Sequence, residues 1–363
     1  MRYAIFTDIH ANLEALEAVL ARIDELAKVE PIDQIWFLGD LVGYGPNPNE
    51  CIDILRKRTD VIIAGNHDWA AVGKLDLEDF SAAARISAEW TAKELTEEHR
   101  EFLRNLPERL EIGACTLVHG SPYGPLWEYL TSEVLAERSF HYFNSRFCFV
   151  GHTHVPVIFQ QPHDAEIIVP SFTEDSRQDE DETGEMAAVM LTSQKAESAE
   201  YAMQAQSSSM LGGEITPSQH IATDEHETSG ESETGDADFV AYDIVEKSTT
   251  ENVMQHAEDR LNNEIEELLE LLGLSQSMVQ ATNEMLEPPE GCWEPPQGYR
   301  AIVNAGGVGQ PRDGDPRAAF MIYDSTHNTF EFYRLAYAFE KTQEKIIEVG
   351  LPQYLAVRLA YGR

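Results

Sequence analysis

The sequence predicts an α/β fold, and three observations indicate it. Short apolar runs alternate with helical patterns in the order β-α-β-α-β over residues 3–63. Polar residues follow each apolar run, so loops begin where the predicted strands end. In open α/β sheets, binding sites lie at the carboxyl ends of the strands. We therefore expect a functional site at one edge of the predicted sheet.

The first 70 residues show this order most clearly. Residues 3–6 form a predicted strand that leads into Thr7-Asp8-Ile9-His10. Asn12 suits the N-cap of a helix whose apolar residues recur every three or four positions. A second strand at 35–38 ends in Gly39-Asp40, and a helix at 50–57 leads to a third strand at 61–63, which precedes Gly65-Asn66-His67-Asp68.

The predicted helices and strands after residue 70 continue the pattern. Two helices are predicted over residues 78–105 and a further helix near 132–142. A strand at 115–118 precedes His119-Gly120, and a strand at 147–150 precedes Gly151-His152-Thr153-His154. After a strand at 299–303, a hairpin across residues 325–328 and terminal helices complete the chain. Each of the first five predicted strands is thus followed by a residue that can bind a metal.

The middle of the chain has a different composition. The 363 residues include 64 acidic and 26 basic ones, for a net charge of −38. Of these, 32 acidic residues but only 5 basic residues lie in 161–300. Stretches at 173–184 and 223–238 are rich in small and acidic residues, which is typical of solvated chain. An amphipathic acidic helix is predicted near 257–272. We expect one discontinuous domain, 1–160 and 299–363, with a partly disordered acidic insertion at 161–298.

Composition also limits the partners and the compartment. Such an acidic surface repels nucleic acid and anionic membranes, which argues against both as stable partners, whereas the insertion leaves a protein partner open. No apolar run is long enough to span a bilayer, and no signal peptide precedes the first strand. The four cysteines are far apart and show no metal-type pairing. A cytoplasmic protein is the expectation.

The strand-end residues suggest a chemistry when they are taken together. Alone, each would suit a turn, a helix cap or a hydrogen-bonded core histidine. In order and each after a strand, they form a set of carboxylate, imidazole and amide groups that suits Mn, Fe or Zn. The set is larger than one ion needs, so two divalent ions sharing a carboxylate are expected. Such a site binds a phosphoryl oxygen and provides hydroxide for displacement at phosphorus. Its members are Asp8, His10, Asp40, Asn66, His119, His152 and His154, with His67 beside them.

These motifs resemble those of the calcineurin-like metallophosphoesterase superfamily, over residues 1–158 and 299–363. The resemblance implies two mixed β-sheets packed face to face and flanked by helices. It implies that Asp8, His10 and His154 bind one metal, that Asn66, His119 and His152 bind the other, and that Asp40 bridges them and is essential to catalysis. His67 would lie beside the scissile phosphate and assist the leaving oxygen. Residues 43–48 and 308–317 resemble a prokaryotic subgroup of small phosphodiesterases, some of which are similar to dinucleoside tetraphosphate hydrolases.

The sequence also departs from related patterns. Serine/threonine protein phosphatases of the superfamily carry an Asp that orients the catalytic histidine and an Arg that binds phosphate, where this chain has Gly43 and Tyr44. What orients His67 is left open, with Asp68 adjacent in sequence. In the carboxyl-terminal loop, Ala305 and Gly307 replace the Pro and Ser that the subgroup usually shows.

Three residues are candidates for substrate binding. Arg312 is the candidate replacement for the phosphate-binding arginine, because its planar guanidinium suits a phosphoryl group. The alternative is that it pairs with Asp313 or Asp315. Tyr44 can stack on a base, and Asn12 is the third candidate contact.

We expect a two-metal phosphoesterase that acts on phosphodiester or phosphoanhydride bonds of small nucleotide-like molecules through a metal-bridged hydroxide. One alternative is a phosphomonoesterase or serine/threonine protein phosphatase. Another is an interaction protein that acts through the acidic insertion.

Overall fold

The computed structural model describes residues 1–163 and 282–363, which contain two β-sheets and the helices around them. The strands are β1 (Arg2–Phe6), β2 (Gln34–Phe37), β3 (Arg109–Ile112), β4 (Cys115–Val118), β5 (Phe147–Val150), β6 (Val157–Pro162), β7 (Glu284–Leu286), β8 (Gly291–Trp293), β9 (Tyr299–Asn304), β10 (Ala318–Asp324) and β11 (Thr329–Leu335). The helices are α1 (Leu13–Val29), α2 (Pro48–Arg56), α3 (Asn66–Ala71), α4 (Ala82–Glu94), α5 (Glu97–Arg104), α6 (Glu133–Phe140), α7 (Phe339–Glu348) and α8 (Gln353–Val357).

The two sheets pack face to face, as the resemblance implies. The first sheet has the order β2-β1-β10-β11-β8 and the second the order β3-β4-β5-β9-β6-β7. Along β1, Tyr3 and Ile5 face the core between the sheets, whereas Ala4 and Phe6 pack with α1 on the outer side. Because successive side chains of a strand point to opposite faces, one apolar strand contributes to two cores. A third core lies between the second sheet and α6.

Parallel strands determine where the loops gather. In the first sheet β1 and β2 are parallel, and in the second sheet β4, β5 and β9 are parallel. The loop after β9 meets the loop after β1, since the Gly309 N–H donates to the Asp8 carbonyl at 2.8 Å. The carboxyl ends of both parallel groups therefore lie at one edge of the sandwich.

Most of the predicted elements in these residues are confirmed, with one correction. Residues 61–63 form a single parallel bridge, between Phe37 and Ile62, rather than the predicted full strand. The run is short, and the next backbone N–H, that of Ala64, already donates to the Pro107 carbonyl outside the sheet. The chain then enters α3.

The region predicted as an insertion contributes to both sheets near its end. β7 pairs with β6 and β8 pairs with β11, although both lie before residue 299. The Thr282 hydroxyl donates to Gln161 at 3.1 Å, so the two ends of the intervening segment are adjacent. The helix predicted near 257–272 lies outside the described residues. Of the helices that the structure describes, none has the length and apolar character needed to cross a bilayer.

Candidate metal centre

The loops after β1, β2, β4 and β5 bring carboxylates and imidazoles together in one buried cluster. It consists of two groups, Asp8, His10, Asp40 and His154 in the first and Asp40, His119 and His152 in the second, with the candidate ligand atoms of each group within 4.8 Å of one another. Asp40 belongs to both groups. This is the position that a bridging carboxylate requires.

Individual distances show how closely the side chains converge. His154 Nε2 lies 3.1 Å from His10 Nε2 and 3.3 Å from Asp8 Oδ1. Asp40 Oδ2 lies 3.5 Å from His10 Nε2 and 3.2 Å from His119 Nε2. The shared carboxylate is therefore close to one imidazole of each group.

Backbone carbonyls orient three of the imidazoles. The Nδ1 atoms of His10, His119 and His154 lie 3.2, 2.8 and 2.5 Å from the carbonyl oxygens of Val42, Leu38 and Gln310, respectively. Because a carbonyl oxygen only accepts hydrogen bonds, each Nδ1 must carry the proton. Nε2 is then the ring nitrogen that faces the cluster in each of the three histidines, as in protein metal sites.

The backbone around the cluster adopts an uncommon conformation. Of the eight non-glycine residues with positive φ in the described part of the chain, seven lie in these loops: Asp8, His10, Ala11, Asp40, Tyr44, His152 and His154. A non-glycine residue in the left-handed region costs about 1–2 kcal/mol. Such residues collect where function requires a particular side-chain direction.

The ionisation of the cluster is set by burial and by its own charges. Burial raises the pKa of Asp8 to about 7. Burial also disfavours the charged form of Asp40, but His119 and His67 outweigh it and hold the pKa of that carboxyl well below its usual range. In turn, Asp40 overcomes the burial of His119 and raises its pKa to about 9. Burial lowers the pKa of the remaining three imidazoles, those of His10, His152 and His154, so they are neutral and able to coordinate a metal.

Several buried polar atoms of the proposed ligands are available to coordinate metal ions. Asp8 Oδ1, Asn66 Oδ1 and His152 Nε2 are buried and make no hydrogen bond within the described residues, and the buried His119 Nε2 faces Asp40 Oδ2 at 3.2 Å. Buried polar atoms of this kind are rare in folded proteins and call for a partner. Carboxylate, imidazole and amide donors suit divalent transition ions. The residues present therefore fit two divalent cations.

His67 lies against the first group and is held by aromatic rings. Its ring centroid is 4.4 Å from that of Tyr44, 5.2 Å from that of Phe80 and 5.0 Å from that of His10. Its Nδ1 is buried and makes no hydrogen bond within the described residues. A Cβ at Gly43 would lie 2.6 Å from this Nδ1, and Gly43 has a φ of +90°. Position 43 therefore has no room for a carboxylate that would orient His67.

Asp68 holds the loops together and does not orient the His67 ring. Its Oδ2 accepts the backbone N–H groups of Asp40 and Gly65, each at 2.9 Å. Its Oδ1 accepts those of Leu41 and Val42, at 2.9 and 3.1 Å. In the opposite direction, the His67 N–H donates to Asp40 Oδ1 at 2.9 Å. The loop after β2 and the start of α3 are thus fixed to each other.

Arg312 is placed beside the cluster. Its Nη2 lies 3.5 Å from the Tyr44 hydroxyl and 3.3 Å from Gln310 Oε1. Burial is the largest cause of the lowered pKa of His154, and the positive charge of Arg312 is the second largest. The acids suggested as its partners form other ion pairs, Asp313 with Arg334 and Asp315 with Arg317.

Asn12 has a structural position. Its side chain is 1 % exposed, and its Oδ1 accepts the Ala15 N–H and the Thr342 hydroxyl. Its Nδ2 donates to the Gly309 carbonyl and the Tyr337 hydroxyl. With both donors and both acceptors used, Asn12 caps α1 as expected, but its geometry does not support a substrate contact.

Sequence reasoning missed one aromatic residue at the cluster. The ring of Tyr129 lies 4.1 Å, between centroids, from that of His152, and Tyr129 is 39 % exposed. It follows no strand and belongs to no repeated motif, so no pattern distinguishes it. Tyr123, a loop tyrosine nearer to His119 in sequence, packs on Tyr142 and on the Arg138 guanidinium.

Comparisons with known proteins identify relatives of this chain. The family model described as calcineurin-like phosphoesterase matches residues 1–156. The crystal structure of a metallophosphoesterase from Sphaerobacter thermophilus is 30 % identical, covers 100 % of this chain and 99 % of that chain, and has a TM-score of 0.59.

Two further relatives extend over the whole length. An uncharacterized protein of Methanocaldococcus jannaschii is 26 % identical over 365 residues, covering 99 % of this chain and 98 % of that protein. The structure of a hypothetical protein from Pyrococcus horikoshii is 16 % identical, covers 100 % and 98 % of the two chains and has a TM-score of 0.56, which shows a common fold.

Proposed function

This chain belongs to the calcineurin-like phosphoesterase family and is a metal-dependent phosphoesterase, and on that premise we propose that it hydrolyses phosphodiester or phosphoanhydride bonds of small nucleotide-like molecules. The proposal concerns the class of substrate and the roles of individual residues.

The seven candidate ligands would bind two ions. Asp8, His10 and His154 would hold one cation, Asn66, His119 and His152 the other, and Asp40 would contact both. Bound there, two divalent ions would supply a nucleophile near neutral pH and neutralise phosphoryl charge. Burial of the site strengthens every electrostatic interaction with the substrate.

Two further side chains would act on the substrate directly. Burial lowers the pKa of His67 to about 4, so its imidazole is neutral at pH 7. A neutral imidazole can donate an N–H hydrogen bond to the leaving oxygen. Arg312 would bind a phosphoryl oxygen through its guanidinium, and the ring of Tyr44, which is 8 % exposed, would contact the rest of the substrate.

The loop at Gly43 and Tyr44 is the observation that carries the choice of substrate. A phosphomonoester is a dianion at neutral pH, and protein phosphatases of this superfamily bind it with an arginine at the position of Tyr44. Here an aromatic ring packs on His67 and His10 at that position. The cation would come instead from Arg312, whose Nη2 lies 3.5 Å from the Tyr44 hydroxyl. An aromatic ring in place of the loop arginine favours a diester or an anhydride, whose reacting phosphoryl group carries less charge than that of a monoester.

A side-by-side assay tests the proposal. We expect the purified full-length protein with Mn²⁺ to show a higher kcat/KM for bis(p-nitrophenyl) phosphate than for p-nitrophenyl phosphate. Dinucleoside polyphosphates and cyclic nucleotides would then identify the natural class. The Asp40→Asn variant, which lacks the shared carboxylate, serves as the control for contaminating phosphatases and should lose both activities. A preference for the monoester would contradict the proposal.

A further inference from the structure

We propose that Tyr129 forms an aromatic subsite that stacks on the nucleobase, or on an equivalent planar ring, of a substrate whose phosphoryl group lies at the metal cluster. The inference rests on the proposed function only in requiring that a phosphoryl group binds there. It adds a contact that distinguishes nucleotides from other phosphate esters.

The first support is the position of the ring. Tyr129 contacts the imidazole of His152, with the ring centroids 4.1 Å apart and the planes at 40°. His152 is a member of the second ligand group and is 3 % exposed, whereas Tyr129 is 39 % exposed. The aromatic ring therefore extends from the buried cluster to the surface. A substrate whose phosphoryl group is held at the cluster would lie within reach of this ring.

The second support is the way in which the loop is anchored. Glu128, one residue before, is 8 % exposed and accepts hydrogen bonds from the Ser121 hydroxyl and the Arg138 guanidinium. Leu130, one residue after, is 1 % exposed and packs in the core beneath the second sheet. Both neighbours of Tyr129 are thus fixed in the interior, so the tyrosine is held in a defined place at the surface.

The same loop also reaches the other side of the site. Trp127 packs on Phe80 with ring centroids 5.0 Å apart, and Phe80 packs edge-on against His67. A single loop therefore contacts a proposed ligand histidine directly and reaches the proposed leaving-group histidine through Phe80. Val155, which follows the ligand His154, is 36 % exposed and adds further apolar surface next to the cluster.

The chemistry of this surface favours a planar aromatic ligand. A tyrosine ring offers a π-face to a base, and stacking of one base on an aromatic side chain contributes about 1–3 kcal/mol. An aliphatic ester group gains little from such a face. The subsite would thus favour nucleotides over sugar phosphates of the same charge.

Two inhibitors that differ only in the base provide the test. Adenosine 5′-monophosphate and ribose 5-phosphate would be measured as competitive inhibitors of whichever nitrophenyl ester the enzyme hydrolyses. Failure of the diester proposal therefore leaves this measurement intact. In the wild type, the inhibition constant should be lower for the nucleotide. Tyr129→Ala should raise the constant for the nucleotide about tenfold and leave that for ribose 5-phosphate within about twofold, while Tyr129→Phe should behave like the wild type.

Controls separate stacking from a structural role. Bound metal and thermal unfolding are measured for each variant, and Tyr354→Ala removes a tyrosine of similar exposure, 42 %, from α8. If both inhibition constants rise equally in Tyr129→Ala, the ring only positions His152 and the proposal is overturned. It is also overturned if the wild type does not distinguish the two inhibitors, or if neither constant changes.

Discussion

His67 is held by aromatic rings and by its backbone N–H, and its Nδ1 makes no hydrogen bond with a carboxylate of the described residues. Tyr44 and Phe80 contact its imidazole from two directions, and its own N–H is fixed by Asp40. Aromatic contacts fix the plane of a ring, but they do not select which nitrogen carries the proton. An imidazole that does not need to become protonated fits this environment. The arrangement is consistent with a histidine that donates a hydrogen bond in the neutral form.

Installing the missing carboxylate should therefore harm the enzyme. We expect Gly43→Asp to lower kcat by at least tenfold, because its Cβ would lie 2.6 Å from His67 Nδ1 and displace the ring. His67→Ala sets the reference, with an expected loss of about 10²-fold or more. Both variants should keep their bound metal, since neither changes a proposed ligand. Metal content and steady-state rates on a nitrophenyl ester are the measurements.

Gly73→Asp is the matched control for backbone strain. Gly73 also has a positive φ, +72°, but a Cβ there would meet nothing within 4 Å. If the two glycine variants lose activity equally, strain rather than displacement of His67 explains the effect. A Gly43→Asp enzyme as active as the wild type would show that a carboxylate dyad can be accommodated.

The proposed ligands were predictable from the sequence because each lies within four residues after an apolar run. Asp8, Asp40 and His119 need only the strand that precedes them to reach the shared edge. For Asn12 the sequence allows two roles, a helix cap or a substrate contact, and its four hydrogen bonds in the structure favour the cap. Tyr129 could not be found, because its contact with His152 depends on loop packing and leaves no pattern in the sequence.

At the level of elements, the strands near the end of the predicted insertion were the hardest to foresee. β7 and β8 are three residues each and contain acidic or small residues among the apolar ones. Their extended form comes from pairing with β6 and β11, so intrinsic propensity does not indicate it. The helices α1, α4, α5 and α6, by contrast, carry side-chain caps and apolar spacing that can be read locally.

Two deletions should distinguish the sheet strands from the segment before them. We expect removal of residues 165–280, closed by a short Gly-Ser turn, to leave kcat/KM within about twofold, because Gln161 and Thr282 are adjacent and loop closure costs little. Removal of 165–295 also deletes β7 and β8 and should lower the unfolding temperature. Thermal unfolding and ester hydrolysis would be compared for both proteins. Equal destabilisation by the two deletions would assign the stability to the segment before β7.

On the scale of the whole molecule, the buried carboxylates link stability to metal binding. Asp8, Asp40 and Asp68 are buried and lie close together. The charge of Asp40 raises the pKa of Asp8, although burial and the opposing effect of His119 are larger. Cations bound in the cluster would offset the repulsion between these carboxylates. This occurs only in the folded state, where the carboxylates are brought together. A ligand that binds only the folded state stabilises it according to its concentration relative to Kd.

Removal of metal should therefore lower the unfolding temperature. We expect chelator-treated protein to regain about 2.7 kcal/mol of unfolding free energy for each ion that binds, when Mn²⁺ is added at 100 times the Kd of that ion. Denaturant titrations with and without Mn²⁺ measure this. The Asp40→Asn variant should show a much smaller effect. The same stabilisation in that variant would place the stabilising ion outside the cluster.

The two edge strands have a consequence for how molecules of this protein meet. β8 ends the first sheet and β7 the second, each three residues long, and proline pairs at 288–289 and 295–296 follow them. Proline has no N–H to donate, and a short strand flanked by glutamates offers little template to a neighbouring chain. At these edges, the addition of a strand from another copy is disfavoured. The short strands and the prolines that follow them thus reduce edge-to-edge aggregation at high concentration.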